Sequence, residues 1–199
     1  MTNLAIFAKP PRAGLVKTRL IPELGADNAA KVYRYCLQHA IEIARQSRLD
    51  FRIYLSEADE DSLFAPYPIH FQSGENLGER MFNAFQELLQ LNPAGAIIVG
   101  SDCLDLKVRQ LKAAAQALVD HELVLLPAFD GGYALIGCRT VDTALFDRID
   151  WSTEQVLRQT TTNADKLGYR TCLLETVHDI DTLQDMERYP ELLNLVTEG

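Results

Sequence analysis

The sequence predicts an α/β domain around a mainly parallel sheet, and three observations lead to that prediction. Short, continuous apolar runs such as residues 4–8 and 96–100 are typical of strands that are buried on both faces. Apolar residues also recur at helical spacing, most clearly over 27–48. The two kinds of segment alternate along the chain, with no internal repeats or low-complexity tracts. In such sheets a ligand lies outside the carboxyl ends of the strands, so we look for function in the loops at those ends.

The predicted elements follow one another in a regular order. Strands are predicted over residues 4–8, 51–55, 69–72, 96–100, 122–127, 133–138 and 169–175. Long helices are predicted over residues 27–48, 76–91, 106–120 and 152–167. Ser152 and Gln155 have the spacing of a capping box for the last of these helices. A short terminal helix is expected after Asp181.

Length and composition limit the function classes. The chain has 199 residues, enough for one domain that we expect to span residues 1–199. Its 19 Lys and Arg against 28 Asp and Glu leave a formal net charge of −9, which argues against general nucleic-acid binding. No apolar run reaches the roughly 20 residues that cross a bilayer, and no secretory signal is apparent at the N-terminus, so we expect a cytoplasmic protein. The four cysteines are far apart in the sequence and are expected to be small buried residues.

The loop after the first strand is unusually basic for an acidic chain. Residues 8–22 contain no acidic residue and four cations, which are Lys9, Arg12, Lys17 and Arg19. The adjacent Pro10 and Pro11, together with Gly14, predict a shaped loop whose backbone can approach an anion closely. The stretch is not a Walker A motif, because Val16 stands where that motif has a glycine. A solubilising surface loop is the alternative, but the segregation of the cations favours a site for phosphate groups.

Asp102 follows the strand predicted at 96–100, so its carboxylate is expected to face the ligand crevice. Magnesium is usually held by one or two carboxylates together with substrate phosphates, so a single aspartate opposite a basic loop is chemically sufficient. Aspartate is also a common helix N-cap. We favour the cap for Asp105 and the metal for Asp102.

Further carboxylates follow later strands. Asp130 lies in the turn F-D-G-G and is expected at the same edge as Asp102, where it could accept a hydrogen bond from an acceptor hydroxyl or bind the metal. Asp179 and Asp181 alternate across one residue, so in an extended chain both point the same way. One of them could complete a metal site with Asp102, although Asp181 could instead cap the terminal helix.

Five stretches of the sequence together resemble a family of uncharacterised bacterial GT-A-like proteins. These stretches are AKPPRAGLVKTRLIPELG, GENLGERM, VGSDCLDL, PAFDGGYALIG and HDIDTLQD, and the resemblance spans nearly the whole chain. Members of the family are often assigned as glycosyltransferases, some of them for arsenosugar biosynthesis. The K-T-R-L stretch also resembles 2-phospho-lactate guanylyltransferase, a nucleotidyltransferase of the same fold.

The resemblance implies a doubly wound, three-layer α/β/α sandwich of the nucleotide-diphospho-sugar transferase fold. It places a nucleotide over the loop after the first strand, and it equates Asp102 with the metal-binding aspartate of a D-x-D-like signature. It also equates Asp181 with the aspartate of a late D-T-P-E-D-L motif in related cytidylyltransferases. Leu183 and Gln184 depart from that motif, and Leu104 replaces the proline that usually follows S-D-C in the family.

The sequence motifs and the family resemblance together predict which residues bind the nucleotide, the acceptor and the metal, and which are catalytic. The nucleotide is expected at Ala8, Lys9, Gly14, Lys17, Arg19, Gly78, Arg80 and Ser101. The acceptor is expected at Asp130, Gly131 and Gly132. Mg²⁺ or Mn²⁺ is expected at Asp102 and Asp181, with Asp179 as the alternative to Asp181. The predicted catalytic residues are Lys17, Arg19, Asp102 and Asp130.

The leading functional hypothesis is a metal-dependent transferase that uses a nucleotide sugar and a small-molecule acceptor. The first alternative is a nucleotidyltransferase that joins a nucleoside triphosphate to a phosphorylated small molecule and releases pyrophosphate. The second is a non-catalytic nucleotide-binding protein. Neither nucleic acid nor a membrane is expected as a partner, and a homodimer is left open.

Overall fold

The structure is a computed structural model that describes residues 2–197. Met1, Glu198 and Gly199, which the predicted domain 1–199 includes, lie outside the described residues. The strands are β1 (Asn3–Ala8), β2 (Asp50–Leu55), β3 (Ile69–Phe71), β4 (Ala96–Val99), β5 (Leu123–Pro127), β6 (Tyr133–Cys138) and β7 (Thr171–Leu173). The helices are α1 (Ile21–Leu24), α2 (Ala26–Ser47), α3 (Leu77–Leu91), α4 (Val108–Ala117), α5 (Val156–Lys166), α6 (Leu183–Met186) and α7 (Pro190–Thr197). Two 3₁₀ turns cover Thr18–Leu20 and Thr143–Phe146.

The strands form one mixed sheet in the order β3-β2-β1-β4-β6-β5-β7. Strand β6 runs antiparallel to both of its neighbours, and every other pair is parallel. The exception follows from the tight turn between β5 and β6, because a short connection can join only antiparallel strands. The predicted α/β fold with a mainly parallel sheet is confirmed.

Helices cover both faces of the sheet, as the continuous apolar runs predict. Leu4 and Ile6 of β1 belong to one buried cluster with Leu37 of α2 and Leu111 of α4. The residue between them, Ala5, belongs to the opposite cluster, to which α3 and α5 contribute. Alternate residues of one buried strand therefore serve two cores, and the predicted three-layer sandwich is confirmed. A third cluster packs α6 and α7 against α2.

Helix starts differ from the sequence prediction at two places. Helix α5 begins at Val156 with Gln155 at its N-cap, so Ser152, whose backbone is left-handed with a φ of 64°, does not form the predicted capping box with Gln155. Asp105 does not cap α4: the Gln110 side chain accepts the N–H of Lys107 at 2.6 Å, and Asp105 accepts the N–H of His178 at 3.1 Å. Asp105 thus ties the loop after β4 to the segment after β7.

The helix predicted after Asp181 is α6, which is followed by α7, and α6 is capped by Thr182, whose side chain accepts the N–H of Asp185. The carboxylate of Asp181 is therefore not used as its cap. All four cysteines are free, and Cys36, Cys103 and Cys138 are buried. Within residues 2–197 no helix is both long and apolar enough to cross a membrane.

Candidate functional site

Four connecting segments meet at the carboxyl edge of the sheet. They are the loop after β1 (9–17), the loop after β4 (100–107), the β5–β6 turn (128–132) and the segment after β7 (174–182). Backbone contacts fix the last segment against the others: Ala128 bridges Val177, and the N–H of Ile180 donates to the carbonyl of Asp102 at 3.2 Å. The loops in which the sequence analysis found its candidate residues are thus adjacent in space.

These segments enclose a cleft with two connected lobes. The first, which we call the basic lobe, has a volume of about 480 Å³ and includes Lys9, Lys17 and Arg19 among its walls. The second, which we call the acidic lobe, has a volume of about 470 Å³ and includes Asp130, Glu154 and Asp179. Six residues line both lobes, namely Arg19, Leu77, Gly100, Asp102, Ser152 and Asp181. Asp102 and Asp181 therefore lie where the two lobes meet.

Lys17 is almost fully buried, and its ammonium group is directed into this junction. Its Nζ donates to Asp102 Oδ2 at 3.3 Å, to Asp181 Oδ1 at 3.2 Å and to the carbonyl oxygen of Ile180. Burial alone would lower the pKa of Lys17, but the charges of Asp102 and Asp181 outweigh it, and the pKa is raised. Its backbone is left-handed, with a φ of 45°, which costs a non-glycine residue about 1–2 kcal/mol.

Arg19 is the second predicted cation at the junction, and it is much more exposed. Its Nη1 donates to Asp181 Oδ2 at 3.0 Å, while 62% of its side chain remains accessible. It lines both lobes, so it can reach an anion in either. Its single exposed ion pair contributes little to stability.

The floor of the basic lobe contains two residues that the sequence analysis did not single out for the site. The hydroxyl of Tyr33 accepts the backbone N–H of Lys9 at 2.8 Å and lies 2.8 Å from Ser101 Oγ, and burial raises the pKa of Tyr33 to about 12. The side-chain amide of Gln72 donates to the carbonyls of Ala8 and Tyr54. In the sequence, Tyr33 is only one of the apolar residues at helical spacing in α2, and Gln72 is only the last residue of a weakly predicted strand. Neither carried a sequence signal for the site.

The acidic lobe brings three carboxylates together. Asp130, Asp179 and Asp181 have carboxylate oxygens that all lie within 4.8 Å of one another. Burial, and then the charges of Asp130, Asp102 and Asp181, raise the pKa of Asp179 to about 7. Repulsion of this kind is relieved by a bound cation, and carboxylate oxygens are the ligands that Mg²⁺ and Mn²⁺ prefer. Asp130, Asp179 and Asp181 therefore fit a divalent metal, whereas Asp102, the other predicted ligand, is not one of these three.

Several predicted site residues lie apart from the cleft walls. Arg12 turns away and binds Asp59, with Nε to Oδ2 at 2.8 Å. Gly14 has open space around it. Gly78 packs under Trp151 and Phe146, and Arg80 Nε donates to the carbonyl of Gly74. The four basic-loop cations therefore do not all converge, and roles for Gly14, Gly78 and Arg80 in nucleotide binding stay predictions.

The β5–β6 turn places Asp130 in the acidic lobe. The Asp130 carboxylate accepts the N–H of Gly132 at 2.8 Å, and Gly131 has a φ of 89°. A Cβ on Gly131 would lie 2.3 Å from the carbonyl oxygen of Glu154. Glycine is therefore required at this position both for its backbone angle and for its close contact with the Glu154 backbone.

We expect Gly131→Ala to destabilise the protein by about 2–4 kcal/mol, because backbone must move as well as adopt a strained angle. Gly14→Ala is the matched control: it has a similar positive φ but nothing within 4 Å of the added Cβ, so we expect a loss of about 1 kcal/mol. Urea denaturation measures both values. Equal losses in the two variants would contradict the packing argument for Gly131.

The comparisons with known proteins agree with this geometry. A crystal structure of a provisionally assigned nucleotide-diphospho-sugar transferase from Desulfovibrio desulfuricans G20 superposes with a TM-score of 0.90 at 27% identity, covering 100% of this chain and 98% of that one. A CMP:2-keto-3-deoxy-manno-octonic acid synthetase in complex with CTP has a TM-score of 0.58 at 11% identity, with coverages of 98% and 99%. Rv0371c from Mycobacterium tuberculosis H37Rv, in complex with manganese, has a TM-score of 0.54 at 14% identity, with coverages of 96% and 99%.

The fold is therefore that of the nucleotide-diphospho-sugar transferases, and the predicted class, a nucleotide-dependent transferase, is confirmed by the similarity to the Desulfovibrio protein. Within that class the chain belongs to the bacterial family DUF2064, described as an uncharacterized protein conserved in bacteria, whose signature it matches over residues 35–153. The predicted relationship to an uncharacterised bacterial family of this fold is thus confirmed as well. No curated protein sequence matches the chain significantly.

Proposed function

We propose that this protein is a metal-dependent transferase that binds a nucleotide sugar in the basic lobe and transfers its sugar to a small acceptor in the acidic lobe. The observation that carries the proposal is the junction at which the two lobes meet, because it places the cations Lys17 and Arg19 and the carboxylates Asp102 and Asp181 at one point. A diphosphate bound there would have its nucleoside on one side and its sugar on the other. The proposal takes residues 1–199 as one domain.

Each residue of the site would have its own role in binding or in the reaction. Lys9 and Arg19 line the basic lobe and would bind phosphate oxygens, while the Tyr33–Ser101 pair supports the floor beneath them. Asp130 would orient the acceptor hydroxyl and take its proton as the new glycosidic bond forms and the bond to the diphosphate breaks. Asp181, with Asp102 and the Asp130–Asp179 pair nearby, would hold a divalent cation. When bound, that cation would supply charge stabilisation for the departing nucleotide.

The charge of the acidic lobe favours glycosyl transfer over nucleotidyl transfer. Among the described residues that line this lobe, Arg19 is the only Lys or Arg, whereas Asp102, Asp130, Glu154, Asp179 and Asp181 are acidic. A phosphorylated acceptor would face carboxylates with a single cation to offset them. A neutral, hydroxyl-bearing acceptor avoids that repulsion. The nucleotidyltransferase alternative is supported by the fold, through neighbours such as the synthetase bound to CTP, and by the resemblance of the K-T-R-L stretch to 2-phospho-lactate guanylyltransferase.

A donor panel tests the proposal. The wild-type chain would be titrated calorimetrically with nucleoside triphosphates, nucleoside diphosphates and nucleotide sugars of each base, with and without MnCl₂. Tight ligands would then be incubated with candidate acceptors while nucleoside diphosphate and pyrophosphate are assayed. Mn²⁺-dependent binding of a nucleotide sugar, followed by release of nucleoside diphosphate, is the expected result. Pyrophosphate release from a triphosphate would instead favour nucleotidyl transfer, and tight binding without turnover would favour a non-catalytic role.

A further inference from the structure

All hydrogen-bond donors of the Lys17 ammonium are already in use. An ammonium group has three N–H donors, and Nζ has three acceptors here, in Asp102, Asp181 and the carbonyl of Ile180. Only 4% of the side chain is exposed. In this arrangement Lys17 has no donor left for a phosphate oxygen, although its side chain forms part of the basic lobe.

We propose that Lys17 is an internal counter-cation, which fills the gap between Asp102 and Asp181 until a divalent metal ion takes its place. Displacement by the metal then frees the N–H donors of Lys17 to bind the diphosphate. The diphosphate step rests on the function proposed above. The displacement step does not, because it depends only on the two carboxylates and the ammonium between them.

Charge repulsion and limited space indicate that a metal ion would replace the Lys17 ammonium group between the carboxylates rather than bind beside it. Nζ lies within 3.3 Å of both carboxylates in a nearly buried position. A cation that used the same oxygens would lie close to the ammonium, in an environment that screens the repulsion poorly. Without either cation, Asp102 and Asp181 would repel each other and Asp179. The site therefore needs one positive charge at this point, and the free protein already supplies it.

Arg19 provides the contrast that makes the proposal testable. Like Lys17 it forms an ion pair with Asp181, but its side chain is 62% exposed and contacts neither Asp102 nor the carbonyl of Ile180. Removing either side chain removes one positive charge next to Asp181. Only the removal of Lys17 empties the gap between the two carboxylates.

We expect Lys17→Met to bind Mn²⁺ about tenfold more tightly than wild type when no nucleotide is present, a coupling within the usual range for two competing ligands. Arg19→Met should change the affinity by less than about threefold, as expected for an exposed charge. The double variant Lys17→Met/Asp102→Asn should not show this increase in Mn²⁺ affinity.

Free Mn²⁺ is followed by electron paramagnetic resonance at fixed ionic strength. Circular dichroism verifies folding, and Lys17→Gln, which keeps an amide donor for Ile180, replaces the methionine variant if that one unfolds.

The wild-type chain gives a second, independent readout. Saturating Mn²⁺ should expose Lys17 and speed its acetylation several-fold, measured by peptide mass spectrometry, while Lys9 in the same loop serves as the exposed reference. Unchanged Mn²⁺ affinity in the Lys17 variants, an equal gain in Arg19→Met, or an unchanged acetylation rate would each overturn the proposal. Because the probe is the metal alone, these results do not depend on the donor panel that tests the proposed function.

Discussion

In Asp181→Asn, nucleotide binding should lose its dependence on Mn²⁺. Asp181 is the carboxylate that contacts both cations of the junction, and it also belongs to the cluster with Asp130 and Asp179. Loss of a residue that only supports a metal ligand already costs about 10–100-fold in metal affinity, so loss of the ligand itself should cost at least about 100-fold. The amide keeps the shape of the side chain but not its charge.

The same substitution should have the opposite effect when no metal is present. Asp181 neutralises Arg19 and part of the charge of Lys17, so the asparagine releases positive charge toward the basic lobe. Metal-free nucleotide affinity should therefore stay equal to that of wild type or rise. Calorimetric titrations with EDTA and with MnCl₂ separate the two effects, and a fall in affinity under both conditions would contradict a metal role for Asp181.

Asp105→Asn is the matched control for this prediction. Asp105 lies in the loop after β4 and accepts a backbone N–H from His178, so its role in the structure is to join two segments. We expect the variant to lose less than about 1 kcal/mol of stability, because the amide oxygen of asparagine can still accept this N–H, and to keep the Mn²⁺ dependence of nucleotide binding. Asp102→Asn should behave like Asp181→Asn, because it contributes the other carboxylate of the junction.

The fold could be predicted because its determinants are local. The run at residues 4–8 is apolar at every position, which only a strand covered on both faces can bury, and the helical stripe over 27–48 lies within one residue of α2. The aspartates at strand ends could be placed for the same reason, since the carboxyl ends of parallel strands share one edge. The starts of the helices near Ser152 and Asp105 could not be predicted, because tertiary contacts determine them.

The sequence could not predict the partners of the site residues, because those partners lie in distant segments of the chain. Lys17 binds the carbonyl of Ile180, and nothing within the basic loop indicates that its ammonium turns toward carboxylates rather than phosphates. In the sequence Arg12 cannot be distinguished from the other cations of the loop. In the structure it binds Asp59, which belongs to the acidic segment after β2. The close packing of Gly78 likewise depends on the position of Trp151, far along the chain.

Arg19→Ala should weaken nucleotide binding about 10- to 100-fold, because a hydrogen bond to a charged group contributes about 1.5–3 kcal/mol. The guanidinium lines both lobes and keeps most of its surface free, so it is available to a diphosphate at the junction without first breaking a buried network. Stability should be nearly unchanged, since its one ion pair is exposed. Calorimetry with the best ligand of the donor panel measures the affinity.

Arg12→Ala distinguishes a specific contact from the general charge of the loop. Arg12 belongs to the same basic stretch and is also partly exposed, but its guanidinium is engaged by Asp59 and Glu57 outside the cleft. If the loop attracted nucleotides only through its summed charge, both variants would lose affinity equally and the loss would vanish at high salt. If Arg19 binds the diphosphate directly, Arg12→Ala should change affinity less than about twofold while the deficit of Arg19→Ala persists at high salt. Similar losses in the two variants would remove Arg19 from the site and leave the phosphates to Lys9 and a displaced Lys17.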